Sequence, residues 1–190
     1  MYRVLKNPFA PSYERVKNLI FEQRFEWIFN PSSTKVDALD NKYKEEHTDA
    51  PFYSHIVIQR PEFQLYPEPQ SKYCNLFVDC LEDIINENVG QTPFHHDDHF
   101  WTRINVNATH PNTGNQLSLP HIDHRFPHYN MIIYLNDCDG DTIVEGESIK
   151  PEQDKVIVFE GEHYMKLPTS DRRVIIVATL VNYTGNISYA

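Results

Sequence analysis

The chain has 190 residues, 40% of them hydrophobic, with 27 acidic against 17 basic side chains and a formal charge of -10. That length supports one domain with a real core and is short for two. The acidic balance argues against a nucleic-acid backbone as partner, because phosphates need a basic surface, though it leaves room for a nucleotide in a locally basic pocket. No apolar run approaches the ~18 residues of a membrane span. The amino-terminal MYRVLKNPFA lacks the apolar stretch of a secretory signal, so a cytoplasmic protein is expected.

In chain order, Ser12 reads as the N-cap of a helix over 12–25, with Val16, Leu19, Ile20 and Phe21 as its apolar side. Phe9, Tyr13 and Trp27 read as packing of this helical layer. Residues 31–70 are polar and proline-dotted, predicting loops with one short strand at His55–Gln59. Tyr73, Leu76, Phe77, Cys80, Leu81, Ile84 and Ile85 recur at three and four, an amphipathic helix that Gly90 would end. After Gly90 the period falls to two. Phe100–Ala108, Asn130–Asn136, Asp141–Glu145, Lys155–Phe159 and Arg173–Val181 read as strands, with turn residues between them. Strands following helices predict a β-sandwich with helices packed on one outer face. Cys74, Cys80 and Cys138 form no CxxC and no even framework, so reduced, packed thiols are expected. The sequons at Asn107, Asn182 and Asn186 carry no meaning without export.

The chemistry concentrates in the rear. His121 and Asp123 are two apart, so an extended segment points both the same way. His163 follows a strand that would return a third ligand alongside them. Two neutral imidazoles and one carboxylate occupy one face of a six-coordinate Fe(II) and leave three positions for a bidentate 2-oxo acid and dioxygen. Arg173 opens the last strand, sharing a face with Ile175 and Val177. One guanidinium in an apolar setting suits the far carboxylate of a small diacid. Tyr134 shares a face with Asn130 and Ile132; it is either a donor to that carboxylate or a core tyrosine.

These residues resemble the Fe(II)- and 2-oxoglutarate-dependent oxygenases, prolyl-hydroxylase-like branch, over roughly 103–181. The resemblance lies in HID at 121–123, YLN at 134–136, DGDT at 139–142, His163 and Arg173. FPH at 126–128 and NDCDGDT at 136–142 also resemble small oxygenase-like proteins common in marine viruses. The resemblance implies a double-stranded β-helix, or jelly roll. It implies one oxygenase-like domain over 1–190, with 1–92 as helical support and loops and 93–190 as the jelly-roll core. It implies that His121, Asp123 and His163 ligate iron, that Arg173 pairs with the C5 carboxylate of 2-oxoglutarate with Arg172 as the alternative anchor, and that Tyr134 hydrogen-bonds the same group. The reaction implied is hydroxylation of an unidentified peptidyl or small-molecule substrate, coupled to decarboxylation of 2-oxoglutarate to succinate, in the cytoplasm or, for a viral protein, the host cytoplasm. A carboxylate at Asp123 favours hydroxylation over halogenation, since a small residue there would open a site for halide. Ile175 stands where the family often has a small residue, and Gly140-Asp141 where it often has two glycines.

Other readings stay open. A cupin-type metal jelly roll would work without 2-oxoglutarate, though HID does not fit its ligand pattern. A non-catalytic viral domain would have no use for the ligand set. His95, His96 and His99 belong to a solvated loop, a lid or a separate metal site. His124 and His128 line the entrance or are polar loop residues. Arg103, Asn105 and Asn107 face the pocket or the solvent.

Overall fold

Alternation along the last strand explains why the interior has two compartments. In the computed structural model, which describes residues 1–32, 47–63, 68–92, 99–112, 114 and 116–182, that strand is β12 (Arg173–Asn182). Val174, Ile176, Ala178 and Leu180 enter one apolar cluster, whereas Ile175 and Val177 enter another. Opposite faces of one strand thus meet different layers.

Both faces are buried because β12 is central. The major sheet runs β1 (Tyr2–Leu5), β10 (Val156–Phe159), β7 (Tyr129–Tyr134), β12, β5 (His99–Thr109), β4 (Phe52–Ile58) and β2 (Ile28–Asn30). Every pairing in it is antiparallel. Its outer face is covered by α1 (Pro11–Phe21) and α2 (Cys74–Glu87). Its inner face meets a small sheet of β11 (His163–Met165), β8 (Thr142–Val144) and β9 (Glu147–Ile149). A parallel pair, β3 (His47–Thr48) with β6 (Leu117–Ser118), lies beside them. This is the expected mostly-β fold with helices on one outer face. The front of the chain supplies more than support, since β1, β2 and β4 all join the major sheet.

Local expectations were met to differing degrees. On α2, Phe77, Cys80, Leu81, Ile84 and Ile85 are all fully buried, as the three–four spacing requires. Gly90 does lie just past α2, with φ +80, a conformation only glycine adopts cheaply. The first helix starts at Pro11, whose missing N–H costs nothing in the first turn. Ser12 therefore sits inside the helix and donates its hydroxyl to Asp83 of α2 instead of capping. Tyr13 is buried, Trp27 packs against the core, but Phe9 is mostly exposed. All three cysteines are buried and free. No helix among the described residues is long and apolar enough to cross a membrane.

Asn88, just past α2, joins that helix to the edge strand. Its Nδ2 donates to the carbonyls of Ile84 and Lys6, and its Oδ1 accepts from the Lys6 amide. The side chain is wholly buried, so no water can replace these bonds. Asn88→Ala should lower the unfolding free energy by about 1–3 kcal/mol, the cost of stranded buried groups. Urea denaturation checks it, and an unchanged midpoint would show that the link carries no energy.

Candidate metal and oxo-acid site

His121 and His163 meet because the chain pairs there as a short antiparallel ladder. The His121 amide donates to the His163 carbonyl and the His163 amide to the His121 carbonyl, both at 3.0 Å. Cross-strand partners project to the same face, and the two rings lie 4.4 Å apart. Asp123, two residues on, joins them. One ligand atom from each of His121, Asp123 and His163 lies within 4.8 Å of the others.

The donor atoms are prepared for a cation. His121 Nδ1 donates to the Leu119 carbonyl at 3.1 Å and His163 Nδ1 to the Gly161 carbonyl at 3.3 Å. Each bond fixes the tautomer and leaves Nε2 with a free lone pair. Burial, and then the neighbouring His121, push the His163 imidazole down to about 4, so it is neutral at physiological pH. Asp123 is buried; burial alone would raise its carboxyl, but Arg103, then His163 and Arg60, hold it far below the usual carboxylate range. Its Oδ1 accepts from Arg103 at 2.5 Å and from Arg60 at 2.7 Å, and Arg60 also donates to the Asp123 carbonyl at 3.1 Å. Its Oδ2 has no hydrogen-bond partner among the described residues and faces His163 Nε2 at 3.7 Å. A buried anionic oxygen without a partner is costly. A divalent cation beside two imidazole nitrogens removes that cost, so the residues fit a two-histidine, one-carboxylate centre.

These groups sit on a cavity of about 310 Å³ between the two sheets, at the small end of the range for small-molecule sites. Arg173 lines it and is buried. Its Nε donates to the Gly140 carbonyl at 3.0 Å and its Nη2 to Thr142 Oγ1 at 2.7 Å. The register pairs His163 with Val144 and Met165 with Thr142, so the Arg173–Thr142 end lies two strand residues, roughly 7 Å, from the histidine. The DGDT motif builds this end. A Cβ on Gly140 would stand 3.1 Å from Arg173 Cδ and 3.2 Å from the Lys166 carbonyl oxygen, which explains a glycine there.

Tyr134 is completely buried and does not line the cavity. Its hydroxyl donates to Thr142 Oγ1 at 2.6 Å, and the Arg173 guanidinium lies over its ring at 5.6 Å. With two donors already on the Thr142 oxygen, the Thr142 hydroxyl proton is left for another acceptor. The phenol thus acts through Thr142, which presents the hydroxyl to the cavity. Arg172 is exposed and does not line the cavity, and its carbonyl accepts from Asn136 Nδ2 at 2.7 Å. Ile175 lines the cavity as an apolar wall.

Arg103 and Asn107 face the cavity; Asn105, on the same strand, does not line it. His124 and His128 are buried away from it. His124 bridges Glu62 and Thr179, each at 2.7 Å, and stacks on Phe126, whereas His128 Nδ1 donates to the Phe126 carbonyl. His99 lies against Glu82 of α2 at 3.0 Å; His95 and His96 fall outside the described residues. No local pattern points to Arg60, which lies in a proline-dotted stretch. Thr142 was visible only as the last letter of a motif.

The sequence matches no protein-family model and no curated protein. Its structure is similar to that of a 2OG-Fe(II) oxygenase family oxidoreductase from Burkholderia pseudomallei, with TM-score 0.67, 14% identity, and 96% of this chain and 86% of that one covered. The fold is that of the 2OG-Fe(II) oxygenases. A collagen prolyl hydroxylase of Paramecium Bursaria Chlorella virus-1, solved with 2OG, matches with TM-score 0.51 at 12% identity over 94% of both chains. The α-ketoglutarate-dependent epimerase SnoN of nogalamycin biosynthesis matches with TM-score 0.56 at 11% identity, covering 95% of this chain and 78% of that one. One scaffold therefore hosts more than one reaction among these proteins.

Asp139 fastens the loop that leads into Arg173. Its Oδ1 accepts from the Thr169 amide at 2.9 Å and the Ser170 amide at 3.4 Å, and its Oδ2 from the Thr169 hydroxyl. The Thr169 hydroxyl first, then these amides, hold the Asp139 carboxyl at about 2, below its ordinary 3.8. A carboxylate so depressed stabilises the fold above its ordinary value and ceases to as pH falls through the lower one. Asp139→Ala should therefore be less stable than the native chain at pH 7, with the gap closing between about pH 4 and pH 2. Thermal melts across that range test it; a gap independent of pH would exclude the charge as its source.

Proposed function

We propose that the protein is a non-haem Fe(II)- and 2-oxoglutarate-dependent oxygenase, acting as a hydroxylase on a peptidyl or small-molecule substrate. The observation that carries this is that an orphaned Asp123 Oδ2 and two imidazole nitrogens share a cavity with a buried guanidinium bound to Thr142, two residues along β8 from the register partner of His163. His121, Asp123 and His163 would hold the metal. When bound, Fe(II) with 2-oxoglutarate and dioxygen supplies the oxidising chemistry, in which decarboxylation to succinate is coupled to oxidation of a C–H bond.

The chain's own residues bind and orient. Arg173 and the Thr142 hydroxyl would take the far carboxylate of 2-oxoglutarate, a charge-assisted contact in a dry setting. Tyr134 keeps the Thr142 proton turned to that acceptor. Ile132, Ile175 and Val177 give the cavity an apolar wall. Arg60 and Arg103 keep Asp123 ionised and leave only its Oδ2 for the metal.

The test is an anaerobic titration. Fe(II)-loaded protein should develop a weak visible charge-transfer band only on addition of 2-oxoglutarate, and then form succinate in air. Arg173→Gln should weaken 2-oxoglutarate binding about ten- to hundredfold, the worth of a charge-assisted contact, with metal affinity unchanged. His163→Ala should abolish the band by losing the metal. Metal binding without any response to 2-oxoglutarate would favour a cupin-like protein instead.

A further inference from the structure

The chain as a whole is acidic, with a formal charge of -10, yet its cavity has the opposite sign. The lining holds three guanidinium groups, Arg60, Arg103 and Arg173, against one carboxylate, Asp123. Glu62, which lies close enough to act on Arg103, is outside the lining and bound to His124. Arg173 stands at the Thr142 end. The other two stand beside the metal ligands, both on Asp123. One bidentate guanidinium is enough to order a carboxylate, so two leave charge and donors over.

Those spare donors point to a ligand. Arg103 Nε has no hydrogen-bond partner among the described residues, although its side chain is only 9% exposed. Asn107 Oδ1, on the cavity face of the same strand, is equally unpartnered. Burying such groups unsatisfied is costly, and because both side chains line the cavity, a turn of either toward a bound ligand would relieve that cost. The Arg60 side chain is 27% exposed, so this pair is reachable from outside. Ile122, 56% exposed, and Phe52 add apolar surface to the same cavity.

We propose that the substrate of this site is a carboxylate-bearing molecule whose anionic group docks on Arg60 and Arg103, with its apolar part against Ile122 and Phe52. The assignment rests on the reading that 2-oxoglutarate occupies the Arg173 end. A neutral or cationic substrate would leave Arg103 Nε stranded and set further charge against two arginines and a metal. The acidic exterior is no obstacle, because an acid held by two guanidinium groups in a cavity gains contacts that long-range repulsion, screened within about 10 Å in salt, does not cancel.

The experiment uses the full chain loaded with Mn(II) and saturated with 2-oxoglutarate, so that the first acid site is filled. Three matched pairs are titrated calorimetrically: N-acetyl-L-leucine and its amide, hexanoate and hexanamide, benzoate and benzamide. At least one acid should bind about tenfold or more tightly than its amide, as a charge-assisted contact requires. Arg60→Gln should erase that preference. Arg103→Lys, which keeps a cation beside Asp123 but lacks the Nε donor, should weaken it. Circular dichroism and thermal melts report that each variant is folded, and the acid-to-amide ratio taken within each variant is independent of any change in its metal or 2-oxoglutarate affinity through Asp123. Acids that bind no better than amides, binding by neither included, overturn the proposal, as does a preference that both variants leave intact. If 2-oxoglutarate binds and the acids do not discriminate, the oxygenase reading stands and this one falls; if 2-oxoglutarate fails to bind, it is the oxygenase reading that fails.

Discussion

A buried carboxylate is tolerable only when it is neutralised, and the structure around Asp123 is organised by that constraint. Its Oδ1 is held by Arg103 from the middle of β5 and by Arg60 from the turn after β4. The same Arg60 holds the Asp123 backbone. The interaction therefore fixes the main-chain path of 121–124 as well as a charge. Of the two carboxylate oxygens it leaves Oδ2 without a hydrogen-bond donor among the described residues. Removing one partner from such a pair strands the rest, so the ion pairs are better regarded as specifying geometry than as a source of stability.

The ladder between His121 and His163 completes what the arginines begin. Backbone hydrogen bonds, not side-chain preferences, set the spacing of the two imidazoles, and each ring is turned by a bond to a carbonyl two residues away. The oxo-acid end is made differently. There Gly140 admits the Arg173 side chain, Thr142 receives two hydrogen bonds, and Asp139 staples the loop ahead of β12. The two ends meet across the small sheet because Thr142 and His163 lie on adjacent strands.

The helical layer contributes at a distance. It covers the outer face of β5, β7, β10 and β12, so those strands stay fixed while their inner faces carry polar groups. Val174 and Ile176 point into the helix-facing cluster and thereby fix which way Arg173 and Ile175 project. Giving the two faces of a strand different layers lets a small protein bury two arginines, Arg103 and Arg173, without dissolving its helix-facing core.

Whatever depends on local periodicity is legible in the order of residues alone. The α2 stripe follows from the three–four spacing. The strand positions after Gly90 and the shared face of His121 with Asp123 follow from a period of two. The convergence of His121, Asp123 and His163 was legible because two ligands are near neighbours and the third follows a recognisable returning strand. The rest depends on contacts between remote segments. Arg60 reaches Asp123 across more than sixty residues of chain, and no local pattern marks a loop arginine for that. Tyr134 lies behind Thr142, and His124 and His128 turn inward, because packing from distant strands leaves those volumes and no others. The entry of β1, β2 and β4 into the major sheet was hidden for the same reason. Strand pairing between remote segments is fixed by hydrogen bonds that form only once both are in place.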